Sequence, residues 1–217
     1  MLNGKKIVLG VTGGIAVYKA VDLVSRLRKQ GAEVRVVMTE HAQQFVTPLT
    51  FKEISGNKVA VSMWDSNQEF NVEHIALANW ADAFVVAPAT ANILAKMANG
   101  IADDLLSTTL LAAQAPIIVC PAMNTGMYQN SITQENIAKL QKHGVTVMPP
   151  AVGYLACGVT GPGRLPEPQQ IVEFIDAFFA KKDGDMVGMK VLVTAAGTRE
   201  PIDPVRFVGN RSSGKMG

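Results

Sequence analysis

The 217 residues carry 20 lysines and arginines against 18 aspartates and glutamates, a formal net charge of +2. That balance creates no basic field for nucleic acid or an anionic membrane, so both are set aside as partners. With 48% hydrophobic and 18% charged residues, the composition is that of a well-cored globular protein and excludes a disordered one.

The first 17 residues, MLNGKKIVLGVTGGIAV, place two lysines before an apolar run, as a signal peptide does. However, TGG interrupts the run and no small-residue cleavage site follows cleanly. The better reading is a strand, Lys6–Val11, entering a glycine turn. No apolar stretch approaches the roughly 18 residues of a membrane span, so a cytoplasmic protein is expected. Beyond the turn, Val17, Val21, Val24 and Leu27 recur at helical spacing, with Gly31 as the C-terminal cap.

Further short apolar runs follow at Glu33–Met38, 83–88, 116–121 and 145–150, each with the length of a buried strand and with room between them for crossover helices. Strand, turn, helix and strand repeated in this way predict an α/β fold: a doubly wound, mainly parallel sheet of Rossmann or flavodoxin-like type with helices on both faces. Ligands in such folds gather beyond the carboxyl ends of the strands. After the last strand, LACGVTGPGRLPEP (155–168) has too many glycines and prolines for a helix interior or a sheet core. A closing helix is expected over 168–182, with Ile171, Phe174, Ile175 and Phe178 as its apolar stripe. Residues 183–188 read as a linker and 189–197 as a fresh strand. About 30 residues cannot bury a core, so 189–217 is read as the truncated start of a second domain and 1–182 as the first.

The strand ends hold the candidate site residues. GVTGGIA (10–16) lacks the G-x-G-x-x-G spacing, and the second strand ends in VMTEH without an obvious ribose-binding acid, which weakens dinucleotide binding. Thr12, Gly13 and Gly14 at a helix N-terminus suit a phosphate, with a ligand-free tight turn as the alternative. Thr39 reads equally as a helix N-cap. After the third strand, APATANILAKMANGIADDLLSTTLLAA offers Thr90 and Asn92 and then one long helix, Thr90 being either a cofactor contact or only a cap. PAMNTGMY presents Asn124, which donates and accepts at once and suits a carboxylate or amide, although asparagine in a turn is ordinary. Cys120, Cys157, His41, His74 and His143 show none of the spacings of a zinc site or a disulfide framework, so no metal is expected. Cys120 reads as core, and His143 before Gly144 as a helix-end residue. GNRSSGKM (209–216) nearly spells a P-loop, but Met216 lacks the magnesium-binding hydroxyl.

Together, GVTGGIAVYKA, APATANILAKMANGIADDLLST, PAMNTGMY and ACGVTGPGRLPEP resemble the flavin-containing cysteine decarboxylases. The tail VTAAGTREPIDPVRFVGNRSSGKMG resembles the opening of the ligase that follows the decarboxylase in their bacterial bifunctional members. The likeness spans the whole chain, with Tyr128 where some relatives place tryptophan. It implies FMN bound by Thr12, Gly13, Gly14, Ile15, Thr39, Ala89, Thr90, Asn92 and Met123, and substrate held by Ala122, Asn124, Met127 and Ala156. The implied reaction is decarboxylation of 4′-phosphopantothenoylcysteine to 4′-phosphopantetheine in coenzyme A biosynthesis. A homotrimer or homododecamer is implied, with flavin near a subunit boundary. The ligase, which uses CTP and Mg2+ in full-length relatives and to which Arg206, Asn210 and Lys215 would belong, is expected to be inactive here.

The substrate's nitrogen is an amide, so it cannot form a Schiff base that would draw off electrons. Oxidation of its CH2–SH to a thioaldehyde places C=S β to the carboxylate; CO2 leaves, and the enethiolate is then reduced by the returned hydride. By resemblance, His74 takes or orients the thiol proton, Asn124 holds the carboxylate or amide, and Cys157 protonates carbon. A thiol pKa of about 8.5 keeps Cys157 mostly protonated at neutral pH, and its glycine- and proline-rich loop would act as a lid. Without the resemblance, Cys157 is an inert loop thiol and His74 a surface histidine. A flavin prenyltransferase and a non-catalytic flavoprotein that regulates a partner remain open alternatives.

Overall fold

The structure, a computed structural model, describes residues 2–64, 72–154, 158, 160–183, 190, 192 and 199–209. Strands β1 (Lys6–Val11) and β2 (Glu33–Met38) have the predicted bounds, and helix α1 (Val17–Lys29) joins them. The buried face of α1 carries Val17, Ala20, Leu23, Val24 and Leu27, each side chain contributing about 1.5 to 3 kcal/mol if of valine or leucine size. Arg26, Arg28 and Lys29 fall in its last turn, where cations complement the helix dipole, and Gly31 follows at φ 85°.

The chain continues through α2 (Glu40–Gln43), α3 (Pro48–Ser55), β3 (Val59–Ala60), α4 (Glu73–Trp80) and β4 (Ala83–Ala89). Then come α5 (Ala91–Asn99) and α6 (Leu105–Ala112), where the sequence suggested one long helix. Gly100 at φ 67° ends α5. Asp104 opens α6 through a reciprocal capping box with Ser107, so two local signals outweigh the continuous apolar pattern. The chain then runs through β5 (Ile117–Pro121), α7 (Thr125–Gln129), α8 (Ser131–Lys142), β6 (Thr146–Val147), β7 (Ala151–Tyr154), β8 (Thr160–Arg164) and α9 (Pro168–Asp183).

Six strands form a parallel sheet in the order β3-β2-β1-β4-β5-β6. Ile7 stands level with Val34 on one side and Ala83 on the other. Alternation along β1 divides the core: Ile7, Leu9 and Val11 pack with α1, Phe51 of α3 and Ile171 of α9, while Val8 packs with Leu77 of α4, Leu94 of α5 and Leu106 of α6. Helices therefore cover both faces, as the fold reading required. The two-residue strand β3 is shorter than periodicity can register, and the strand expected over 145–150 is present as β6 but pairs only through Thr146 and Val147, since Pro149 and Pro150 have no N–H to donate. Strands β7 and β8 pair antiparallel as a separate two-stranded sheet, so part of the run read as a plain loop is extended. A two-stranded hairpin tolerates Pro162 and Gly163 because neither strand lies inside a larger sheet.

The chain divides into two compact units, Met1–Ala180 and Lys181–Gly217. In the second, β9 (Arg199–Pro201) pairs antiparallel with β10 (Phe207–Gly209). Asp203 closes the intervening turn by accepting from the N–H groups of Val205 at 2.9 Å and Arg206 at 2.7 Å. The strand expected over 189–197 lies outside the described residues except for 190 and 192. Among the described residues no helix is long and apolar enough to cross a membrane.

Candidate functional site

The strand order reverses between β1 and β4, whose outward crossovers leave a crevice at their carboxyl ends. A cavity of about 920 Å³ lies there, lined by residues that follow β1, β2, β4 and β5 and by the end of β8. It falls at the upper end of the range for small-molecule sites.

Thr12 closes the back of the crevice. It is 2% exposed, its hydroxyl donates to the Pro88 carbonyl at 2.7 Å, and it accepts from the Thr90 N–H at 3.1 Å. This side chain joins the ends of β1 and β4, which are distant in sequence. At Gly13 an added Cβ would overlap Cβ of His41 and approach its carbonyl carbon to 2.8 Å; at Gly14 the nearest atom would be Thr90 Cγ2 at 3.8 Å. Only the first glycine is required by the close approach of the β1 and β2 ends. Ile15, 62% exposed, continues the wall. The first turn of α1 has no side-chain cap, since its N-cap residue is Ala16, and residues 13–16 all line the cavity. An uncapped helix start suits a phosphate.

Thr39 and Thr90 both line the cavity and both cap helices, accepting from Ala42 N–H at 3.3 Å and Ile93 N–H at 3.5 Å. Asn92 also lines it. Ala89 does not: it is fully buried and its carbonyl accepts from Ala122 N–H at 3.0 Å, so it fixes the ends of β4 and β5 side by side. From there Ala122, Met123, Asn124 and Met127 enter the lining. Asn124 caps α7, its Oδ1 accepting from Gly126 N–H at 2.8 Å. The N–H of Met123 donates to the Gly163 carbonyl at 2.9 Å, tying the β5 end to β8. An added Cβ at Gly163, which has φ 130°, would overlap the Met123 carbonyl oxygen.

The structure thus brings together Thr12, Gly13, Gly14, Ile15, Thr39, Thr90, Asn92, Ala122, Met123, Asn124 and Met127. His74, on α4, is half-buried and outside this lining. Cys157 and Ala156 lie outside the described residues, in the segment between β7 and β8. Cys120 is fully buried, and burial pushes its thiol up to about 12, in keeping with the core reading. Among the described residues no cluster of three or more histidines, cysteines or carboxylates could hold a metal.

Several charged lining residues escaped the sequence reading. Lys96 bonds Asp103 at 2.6 Å and Asp104 at 2.9 Å. Burial alone would lower its pKa, but the hydrogen bonds to Asp103 and Asp104 outweigh this and raise it. Burial likewise pushes the Asp104 carboxyl upward, yet the Ser107 N–H and Lys96 hold it below its ordinary value. Lys19, with a side chain only 7% exposed, donates to Glu167 at 2.9 Å and to the Leu165 carbonyl at 3.1 Å. Arg164 bonds the same Glu167 oxygen at 2.6 Å. The hydrogen bond from Lys19, aided by Arg164, holds the Glu167 carboxyl below its usual range. A lysine on an otherwise apolar helix face was the available signal for Lys19; nothing local marked Arg164.

The donor set fits a flavin mononucleotide: an uncapped helix start for its phosphate, hydroxyl and amide groups on Thr90, Asn92 and Asn124, and apolar walls from Ile15, Met123 and Met127 for its rings. The chain belongs to the flavoprotein family, whose model matches residues 1–180; that of the DNA/pantothenate metabolism flavoprotein C-terminal domain matches 186–217. More particularly, it is 52% identical over 216 residues to the coenzyme A biosynthesis bifunctional protein CoaBC of Haemophilus influenzae and 50% identical over 218 residues to that of Bacillus subtilis. It covers 54% of each, so the chain spans about half the length of these curated relatives. Among solved structures, a PPC decarboxylase variant complexed with pantothenoylaminoethenethiol matches with a TM-score of 0.72 at 32% identity, covering 82% of this chain and 99% of that one. The FMN binding protein AtHal3 matches with 0.70 at 33%, covering 82% and 97%.

Proposed function

We propose that this chain is an FMN-dependent carboxy-lyase that converts 4′-phosphopantothenoylcysteine to 4′-phosphopantetheine. Residues 1–182 form the decarboxylase domain, 183–188 a linker and 189–217 the start of a ligase domain that uses CTP and Mg2+ when whole. The observation that carries the reading is Asn124 in the lining of a flavin-sized cavity, on the turn directly after β5. Thr12, Gly13, Gly14, Ile15, Thr39, Thr90, Asn92 and Met123 hold the cofactor, Ala89 acting through the backbone. Bound there, FMN would supply a reversible hydride acceptor for the carbon that bears the substrate's thiol.

The chain's own groups do the rest. The Asn124 amide orients the reacting carboxylate without neutralising it, and Ala122, Met127 and Ala156 exclude water around it. His74 receives the thiol proton as the C–H bond breaks, and Cys157 delivers a proton to carbon after CO2 has left. Because His74 is off the cavity of its own chain, it acts on the cavity of a neighbouring copy, which the homotrimer or homododecamer supplies.

The test is made on purified protein supplied with FMN. Oxidised-flavin absorbance and CO2 release from 4′-phosphopantothenoylcysteine are expected. Cys157→Ser should release CO2 but leave the product as the oxidised enethiol. A colourless protein that ignores added FMN, or full reduction of product by Cys157→Ser, would overturn the reading.

A further inference from the structure

The cavity contains two ionic clusters of opposite balance. Lys96 faces both Asp103 and Asp104, leaving one negative charge in excess. Lys19 and Arg164 share one carboxylate, Glu167, leaving one positive charge in excess. Both of these cations line the cavity, whereas Glu167 does not. Lys19 is held on three sides of the fold at once: its own helix α1, the Leu165 carbonyl and the Glu167 carboxylate that precedes α9. A lysine this buried is uncommon unless paired, and here the pairing fixes its ammonium beside the cavity instead of neutralising the whole cluster.

We infer that Lys19 and Arg164, oriented by Glu167, form a phosphomonoester subsite within the cavity. The inference rests on the proposed function, which supplies two such ligands, the cofactor and the substrate. An arginine fork and a lysine point charge are the side chains that best recognise a dianionic phosphate. Glu167, with half of its side chain exposed, aligns both cations at 2.9 and 2.6 Å and leaves their other N–H donors for a ligand. The reacting carboxylate is a poor occupant. A cation bound to it would stabilise the reactant more than the departing neutral CO2 and raise the barrier. Neutral Asn124 suits that carboxylate, and the cationic pair suits an anion that survives the reaction unchanged. Lys96 is excluded by its two carboxylates, which would repel a phosphate.

The experiment compares wild type with Arg164→Gln by calorimetric titration against two pairs of probes: 4′-phosphopantetheine with pantetheine, and FMN with riboflavin. Loss of one charge-assisted phosphate contact should cut the preference for the phosphorylated member of a pair by about 10- to 100-fold. A fall confined to the pantetheine pair assigns the subsite to the substrate, and one confined to the flavin pair assigns it to the cofactor. Preferences unchanged in both pairs overturn the inference. Lys19→Met, checked for folding by circular dichroism, should move the same pair as Arg164→Gln; if it leaves that pair unmoved, the two residues do not share a subsite. Phosphate discrimination without CO2 release would sink the decarboxylase reading alone. CO2 release with no change in either preference would sink the subsite alone.

Discussion

Replacing Gly13 by alanine should cost far more than the same change one residue later. At Gly13 the new Cβ collides with Cβ and backbone of His41, whose carbonyl carbon would lie 2.8 Å away. A backbone atom cannot swing aside as a side-chain tip can, so the ends of β1 and β2 must part. Overpacking of that kind costs about 1 to 3 kcal/mol. At Gly14 the nearest atom is a methyl group at 3.8 Å, an ordinary contact, and the lower entropy of the unfolded alanine chain offsets any small loss. Urea denaturation of the cofactor-free protein should therefore show Gly13→Ala lower by about 1 to 3 kcal/mol, or about 2 to 12 °C in melting temperature. Gly14→Ala should fall within about 0.5 kcal/mol of wild type. Equal losses for the two variants, or none for Gly13→Ala, would refute the steric account of this turn.

Thr12→Val removes the hydroxyl that serves Pro88 and Thr90, and each orphaned backbone group should cost about 1 to 3 kcal/mol in urea denaturation. Asp104 has a folded pKa below its ordinary 3.8. Its stabilisation is therefore complete above that value and is lost as pH falls through the folded one. Denaturation series from pH 6 to pH 2.5 should accordingly show a smaller acid-side loss of stability for Asp104→Asn than for wild type. Cys120, with its thiol pushed up to about 12 and no exposed surface, should resist iodoacetamide at pH 7.5 in the native protein and react only once denaturant unfolds it, as peptide mapping would record.

The buried strands were legible because burial on both faces leaves a nearly continuous apolar run. KIVLGV and EVRVVM could therefore be bounded to the residue. The break between α5 and α6 was obscured by the same property, since apolar positions run through both helices while the stop depends on Gly100 and the Asp104–Ser107 box. Strand β3 follows from pairing with β2 and not from any pattern of its own, whereas β6 lies inside the run read over 145–150 and is cut to the two residues that pair with β5. At the site, residues directly after strands could be found by rule, hence Thr12, Thr90 and Asn124. Their chemical roles came from the resemblance. Lys19 and Glu167, 148 positions apart in sequence, meet only through tertiary folding, and no spacing along the chain announces such a pair.

The hydrogen bond from Met123 to Gly163 couples two parts of the molecule that chain order keeps apart. Asn124 lies one residue beyond its donor, and its acceptor, Gly163, belongs to β8. A shift of β8 would consequently be transmitted to the Asn124 amide. Evolution of a wider or narrower substrate range would meet less resistance at Ile15 and Met127, whose side chains are already open to solvent, than at this shared anchor.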